Sequence, residues 1–388
     1  MRFSIVASAV VAAVVGFGST LAIIVEATRH LGASTAQTSS VVASLCLAMA
    51  ATSALLSTWH RMPIVTAGSL AGAVLIASAP PGIGLHQAIG AFLLSGALTV
   101  LAGAVPALGA TIARLPASVA GGMLAGLLLR FVLALFQAAE ASPGLVLPLL
   151  GVFLVARLVH AASAPLLVIA AGVPLAMLLG AELRPPSSEL STLVWIAPEF
   201  SAAALAGLGL PLFLVTMATQ QISGAAVLRA SCYVPPVRAA LAATGLALLI
   251  AAPFGAYSCN LASITAPLCT GPDAHPDPAK RWLTGPVYAA CYLLFAVFGA
   301  SLAIMLGSLP PVLVTTVAGT ALLGPLTGAL ASTTVRERER FAAVLAFGVT
   351  ASGMTLLGIG AAFWALLAGL LALGLGRASR LLRLARRN

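Results

Sequence analysis

Charge is what this 388-residue chain has least of: 7% of its residues are Asp, Glu, Lys or Arg, against 61% hydrophobic ones. A folded domain surrounded by water carries roughly 25% charged residues, so the residues needed to coat one or more soluble domains are missing. Aspartate occurs only as Asp273 and Asp277, in a Pro-rich stretch without further acidic partners. That argues against a lipid-diphosphate transferase, whose Mg²⁺ needs carboxylates as well as substrate phosphates. No GxxxxGK[ST] stretch occurs, which argues against ATP-driven work within this chain. The five cysteines make neither a CxxC pair nor a His/Cys ligand spacing and lie mostly inside apolar runs. The expectation is therefore no enzyme, no metal and no cofactor.

What is present is long runs of Leu, Ala, Val and Gly. They do not alternate as barrel strands do, and helices suit lipid because they satisfy their own backbone hydrogen bonds. The fold expected is an all-α polytopic membrane protein. A crossing takes about 20 apolar residues, and charges, Pro and Gly divide the chain into about 14 spans. They fall near 4–26, 38–58, 63–78, 86–106, 117–139, 144–161, 163–181, 203–228, 239–253, 257–268, 282–307, 311–332, 341–354 and 356–376. The first run resembles a signal-peptide core, yet it continues to Val25 and is read as a retained span.

The net charge of +10 is a matter of topology and not of nucleic-acid binding, because the cations sit between apolar runs instead of clustering on one face. With the N-terminus inside, 16 of the 19 Lys and Arg fall in inside loops, Arg114, Arg157 and Arg229 among them; Arg29 and Arg184 fall outside, and Arg130 within a span. Glu140, Glu182, Glu189 and Glu199 fall outside. This segregation predicts an even number of spans with both termini cytoplasmic; the membrane expected is a bacterial-type inner one. The outside connection 182–202 divides the chain into a first repeat, 1–181, and a second, 203–376, followed by a basic cytoplasmic tail, 377–388. Seven spans per half makes the halves inverted repeats, an arrangement of secondary transporters.

Two weak segments occupy the third place in each half, 63–78 and 257–268. Both pair an extended start with small and hydroxyl residues: Thr66 and Ser69 in one, Asn260, Ser263 and Thr265 in the other. Each is read as an extended stretch feeding a half-helix near mid-membrane, whose N-terminal amides favour a carboxylate. Tight helix packing by small residues is the competing reading. Gln220 and Gln221 lie deep in the eighth span, and one shared cavity for both would require local unwinding, which Gly224 permits; interhelical hydrogen bonding is the alternative. Ser19 and Thr20 occupy the matching place in the first span. Glu26 and Arg130 are candidates for proton coupling, with a solvated interfacial acid and a snorkelling arginine as alternatives. Arg336–Arg340 reads as a solvated turn, and the tail as an amphipathic helix or a topology anchor.

Several stretches resemble the BenE family of benzoate/proton symporters: Gly16–Thr20, Ile24–Ala27, Leu31–Ser34, Pro63–Ala67, Ala226–Ala230, Thr270–Pro278 and Thr350–Gly360. The resemblance covers nearly the whole chain. It implies a fold similar to the uracil permease and sulfate permease families, with core and gate domains and substrate between the third and tenth spans beside the eighth. Where the family pattern has Trp-Ser-Thr-Pro-Gly, this chain has Gly68–Ser69–Leu70–Ala71–Gly72; where it has Asn-Leu-Pro-Gly-Phe, this chain has Gln221–Ile222–Ser223–Gly224–Ala225. The function implied is proton-coupled symport of a small organic anion, benzoate or a related aromatic carboxylate first. A nucleobase or inorganic-anion carrier of the same fold is the second reading. The expected partners are the anion, a proton and the lipid bilayer, with homodimerisation left open.

Overall fold

The computed structural model describes residues 3–105, 117–160, 164–181, 189–307 and 309–385. Arg2, Arg114, Glu182, Arg184, Arg386 and Arg387, which the charge distribution invoked, lie outside these residues. The described chain is helical almost throughout. It comprises α1 (Phe3–His30), α2 (Thr35–His60), α3 (Leu70–Ala77), α4 (Leu85–Ala104), α5 (Ala117–Ala141), α6 (Pro143–His160) and α7 (Ala164–Leu178). The second half holds α8 (Ala202–Ala230), α9 (Val237–Ala251), α10 (Ala266–Thr270), α11 (Thr284–Gly307), α12 (Pro311–Thr334), α13 (Arg340–Ser352) and α14 (Ala361–Ala385). Among the described residues eight helices are long and apolar enough to cross a membrane: α1, α2, α4, α5, α8, α9, α11 and α12. The basic tail does not begin a new element, since α14 runs unbroken to Ala385.

Helix boundaries follow local chemistry. A capping box of Ser34 and Gln37 opens α2, satisfying two amides that a helix start leaves without partners. Ser69 caps α3 by accepting from the Gly72 amide, and the helix ends after eight residues, ahead of Pro80 and Pro81. The α9 helix tightens into a 3₁₀ turn over Ala252–Phe254 and stops at Gly255, whose φ of 104° only glycine adopts without strain. Val41 of α2 lies directly behind that glycine. Two π-helical turns, Leu205–Gly209 and Met217–Gln221, interrupt α8.

Two helical bodies result. In one, α2 packs along α11, α4 along α9, and α1 against α3 and α11. In the other, α5 packs along α12 and α13, with α6 beside α7 and α13 beside α14. Glycines allow the closest approaches, as where Gly122 of α5 meets the backbone of Ala343 in α13.

The third and tenth segments are broken as expected, and the two breaks meet. Thr66–Ala67 (β1) pairs antiparallel with Asn260–Leu261 (β2), Thr66 opposite Leu261 and Ala67 opposite Asn260. The Ala262 amide extends the pairing to the Val65 carbonyl at 2.9 Å. The two half-helices are unequal, however: α10 is a single turn of five residues, with Pro267 at its start and no side-chain cap. A second short hairpin joins Thr355–Leu356 (β3) to Ile359–Gly360 (β4) between α13 and α14.

Gly224 of α8 sits against β2: a Cβ there would lie 2.6 Å from Leu261 Cβ and 2.9 Å from the Ala262 carbonyl oxygen. Gly224→Val is expected to push β2 off α8 and cost about 1–3 kcal/mol. Thermal unfolding in detergent measures it as a lowered Tm.

Candidate functional site

A helix that breaks inside the bilayer strands amides and carbonyls where each unsatisfied group costs several kcal/mol. Side chains of α2 meet most of that demand. The Thr66 amide donates to Ser53 Oγ at 2.9 Å and the Ile64 amide to Ser57 Oγ at 3.1 Å, while Ser57 Oγ donates back to the Ile64 carbonyl at 2.7 Å. Thr66 Oγ1 donates to the Met49 carbonyl and lies 2.7 Å from Thr52 Oγ1. One helical turn after another up the same helix, Ser44 and Ser40 donate to the Phe254 carbonyl at 3.2 and 2.8 Å, fixing the start of the second break. The two breaks also hold each other. Ser69 donates its amide to Ser258 Oγ at 2.8 Å, and Tyr257 OH donates to the Ser69 carbonyl at 3.1 Å.

Beside this junction lies a cavity of about 400 Å³ between the two helical bodies. The first body contributes Gly16, Ser19 and Thr20 from α1, Ala67, Gly68 and Leu70 from the first break, Gln220 from α8, and Ala262–Thr265 from the second. The second body contributes Phe153 and Arg157 of α6, Pro165 of α7, and Thr320, Ala321, Gly324 and Pro325 of α12. A contiguous cavity of about 370 Å³ continues past Gln220 and Ser263 toward α5. Ile264, at the tip of the second break, is 60% exposed, so the cleft is open and not sealed within the bundle. The last turn of α6 and the first of α7 place its mouth at the end of the bundle where α1 begins. At the opposite end the bodies touch: Gly360 of β4 approaches Pro80 and Gly207, with a Cβ on Gly207 standing 3.2 Å from the Gly360 amide.

The candidate residues divide between wall and frame. Ser19, Thr20, Gln220, Ser263 and Thr265 line the cavity. Ser19 and Thr20 return their hydroxyls to the Gly16 carbonyl at 3.1 and 3.0 Å, whereas Ser263 Oγ donates to Gln220 Oε1 at 3.1 Å. Thr265 Oγ1 is buried, and among the described residues no partner meets hydrogen-bond geometry with it. Thr66, Ser69, Gln221 and Asn260 stand behind the wall. Gln221 Nε2 donates to Thr244 Oγ1 at 2.9 Å and to Asn260 Oδ1 at 3.4 Å, and its Oε1 accepts the Leu261 amide. The glutamines thus do not share one cavity. A π-helical turn, with no unwinding, carries both, and Gln221 is the interhelical fastening.

Glu26 and Arg130 are not brought together. Glu26 is exposed near the end of α1, and Arg130 lies on α5 against Gly353, where a Cβ would stand 2.7 Å from its Nη1. The structure adds Arg157, which charge segregation alone had placed in an inside loop. Its signal in the sequence is a cation within the apolar run Leu154–Leu158.

A pair of broken helices meeting beside a cleft, with the walls on two helical bodies, is the architecture of a membrane transporter. The family model described as "Benzoate membrane transport protein" matches residues 1–375. The chain belongs to this family, BenE. It is 40% identical over 367 residues to "Inner membrane protein YdcO" of Escherichia coli K12, covering 92% of each chain. It is 33% identical over 362 residues to the "Benzoate membrane transport protein" of Acinetobacter baylyi, covering 93% of this chain and 92% of that one. Its fold matches the transmembrane domain of a cyanobacterial bicarbonate transporter, BicA, with a TM-score of 0.64 at 14% identity, over 95% of this chain and 98% of that one.

The two glutamines are expected to respond differently to truncation. Gln221→Ala removes a buried amide bridging α8, α9 and β2 and is expected to cost about 1–3 kcal/mol. Gln220→Ala, at the cavity wall, is expected to change the detergent Tm much less. Parallel melting curves of the two variants check the assignment.

Proposed function

We propose that the chain is a secondary active carrier that moves benzoate or a related aromatic carboxylate together with a proton across a bacterial-type inner membrane. The observation that carries this reading is the composition of the cavity wall. It is mostly apolar, with Phe153 as its aromatic side chain, a few hydroxyls and amides, and Arg157 as its cation. Among the described residues no Asp or Glu lines it. An apolar socket with one positive side suits an apolar body bearing a single carboxylate. The first amides of α3 add the partial positive charge of a helix N-terminus on the opposite side of the junction. Ser19, Thr20, Gln220, Ser263 and Thr265 contact the anion in this reading, and Thr66, Ser69, Gln221 and Asn260 hold the wall in place.

Membership of the benzoate transport family and the likeness to the Acinetobacter protein support benzoate over other anions. The inner-membrane relative in Escherichia coli and the segregation of Lys and Arg support the location, with both termini cytoplasmic. The packing supports inverted repeats over 1–181 and 203–376. Exchanging each helix for its counterpart seven places on turns the α2–α11 contact into α9–α4, α1–α3 into α8–α10, and α6–α7 into α13–α14. Each exchanged pair is in contact. In this orientation the structure faces inward, closed at Gly207 and Gly360. Proton coupling offsets the charge of an anion that would otherwise enter against a negative interior; Glu26 and Arg130 are the groups assigned to it.

Uptake of labelled benzoate into proteoliposomes tests the proposal, with protein-free liposomes correcting for passage of the neutral acid. Accumulation is expected under an inward proton gradient and is expected to vanish with a protonophore. Excess uracil or sulfate is expected to leave it unchanged. Failure to take up any aromatic or aliphatic carboxylate would contradict it.

A further inference from the structure

Arg157 lies one turn from the end of α6, among Leu154, Val155 and Leu158, which are 54%, 64% and 87% exposed. A cation on so apolar a surface, one turn from a helix end, either snorkels to the interface or serves a water-filled space or an anion. The side chain does reach such a space, since it lines the cavity beside the paired breaks. Across from it stands α12, where Gly324 offers no side chain: a Cβ there would be 3.7 Å from Arg157 Nη1. Pro325, next in sequence, is inside the helix and cannot donate to the Ala321 carbonyl. Ala321, Gly324 and Pro325 all line the same cavity. The wall opposite the guanidinium therefore carries neither bulk nor an acidic side chain. No ion pair or hydrogen bond engages Arg157 among the described residues.

We propose that Arg157 is the anion-docking residue of the cavity, holding the substrate carboxylate on the open side of the cleft and selecting a charged ligand over its neutral isostere. This rests on the carrier reading and deepens it. A carboxylate entering from the mouth meets the guanidinium first, and its two oxygens match the fork of guanidinium donors. Because Arg157 belongs to the body that carries α6 and α12, while the paired breaks belong to the other, an anion touching both would be shared across the moving interface. The charge would thus report occupancy at the seam between the bodies. A topology anchor, the alternative role, would set insertion and orientation without distinguishing ligands.

The test compares benzoate with benzamide, its uncharged isostere, on purified protein and on proteoliposomes. Arg157→Gln is expected to weaken benzoate binding about tenfold, the loss of roughly one charge-assisted hydrogen bond. It is expected to raise the benzoate KM similarly with little change in the maximal rate, to leave benzamide binding unchanged, and to be largely rescued by Arg157→Lys. Gly324→Asp, which keeps Arg157 but sets a carboxylate beside it, is expected to reproduce the selective loss. It keeps the question open to experiment if Arg157→Gln folds poorly. Equal binding of benzoate by the wild type and both neutralised variants overturns the assignment, as does a parallel loss of benzoate and benzamide. Wild-type protein that binds benzoate but does not move it counts against the carrier reading instead, and leaves the binding comparison to decide Arg157.

Discussion

Two interruptions of the helical backbone have to be satisfied inside a bilayer, and each supplies half of what the other needs. The antiparallel contact of Thr66–Ala67 with Asn260–Leu261 converts two stranded backbone segments into the smallest of sheets. The side chains of α2 and α8 take up the groups the pairing leaves over, through Ser53, Ser57 and Gln221. Water cannot perform this service in hydrocarbon. Much of the first body follows from it. α2 must present hydroxyls along one face, α8 must bring an amide to β2, and Gly224 must be small enough to let the strand approach. The cleft beside the junction exists because the chain there is neither helix nor loop but a short, fully bonded ribbon.

That ribbon belongs to one body, and the wall facing it to another. The contact between them is close where Gly360 meets Gly207 and Pro80, and open where Ile264 and Arg157 reach the cavity. Glycine at the closed end permits backbone approach, with the Pro80 ring and Ile359 packed beside it. Within each body the contacts are intimate: glycines of α5 abut the backbone of α13, and Gly245 of α9 abuts Val100 of α4. Two bodies with denser contacts within them than between them suit the alternating access proposed for the carrier.

Charge, proline and glycine located the breaks because the two segments they bound are too short and too polar to cross as full helices, and non-helical backbone at membrane depth is tolerated only where protein or a cavity covers it. The meeting of the two breaks followed from their matching places in the halves. Hydroxyl spacing in α2, with Ser40 and Ser44 four apart and Ser53 and Ser57 four apart, marked a polar face that composition alone did not single out. Gln220 and Gln221 look alike in the chain and differ in the fold, because adjacent residues on a helix point about 100° apart. Arg157 obeyed the rule of positive inside loops so well that its second reading stayed hidden; only the position of α12 across the cleft disclosed it.

The claim on which the account turns is that the paired breaks and the facing helices enclose one anion site. A structure determined with benzoate, or with its 4-bromo analogue for unambiguous placement, tests this most directly. The account predicts ligand density between Gly68, Ser263 and Thr265 on one side and Phe153 and Arg157 on the other, with the carboxylate toward Arg157. Density elsewhere, with this cavity left to solvent at saturating ligand, would contradict it.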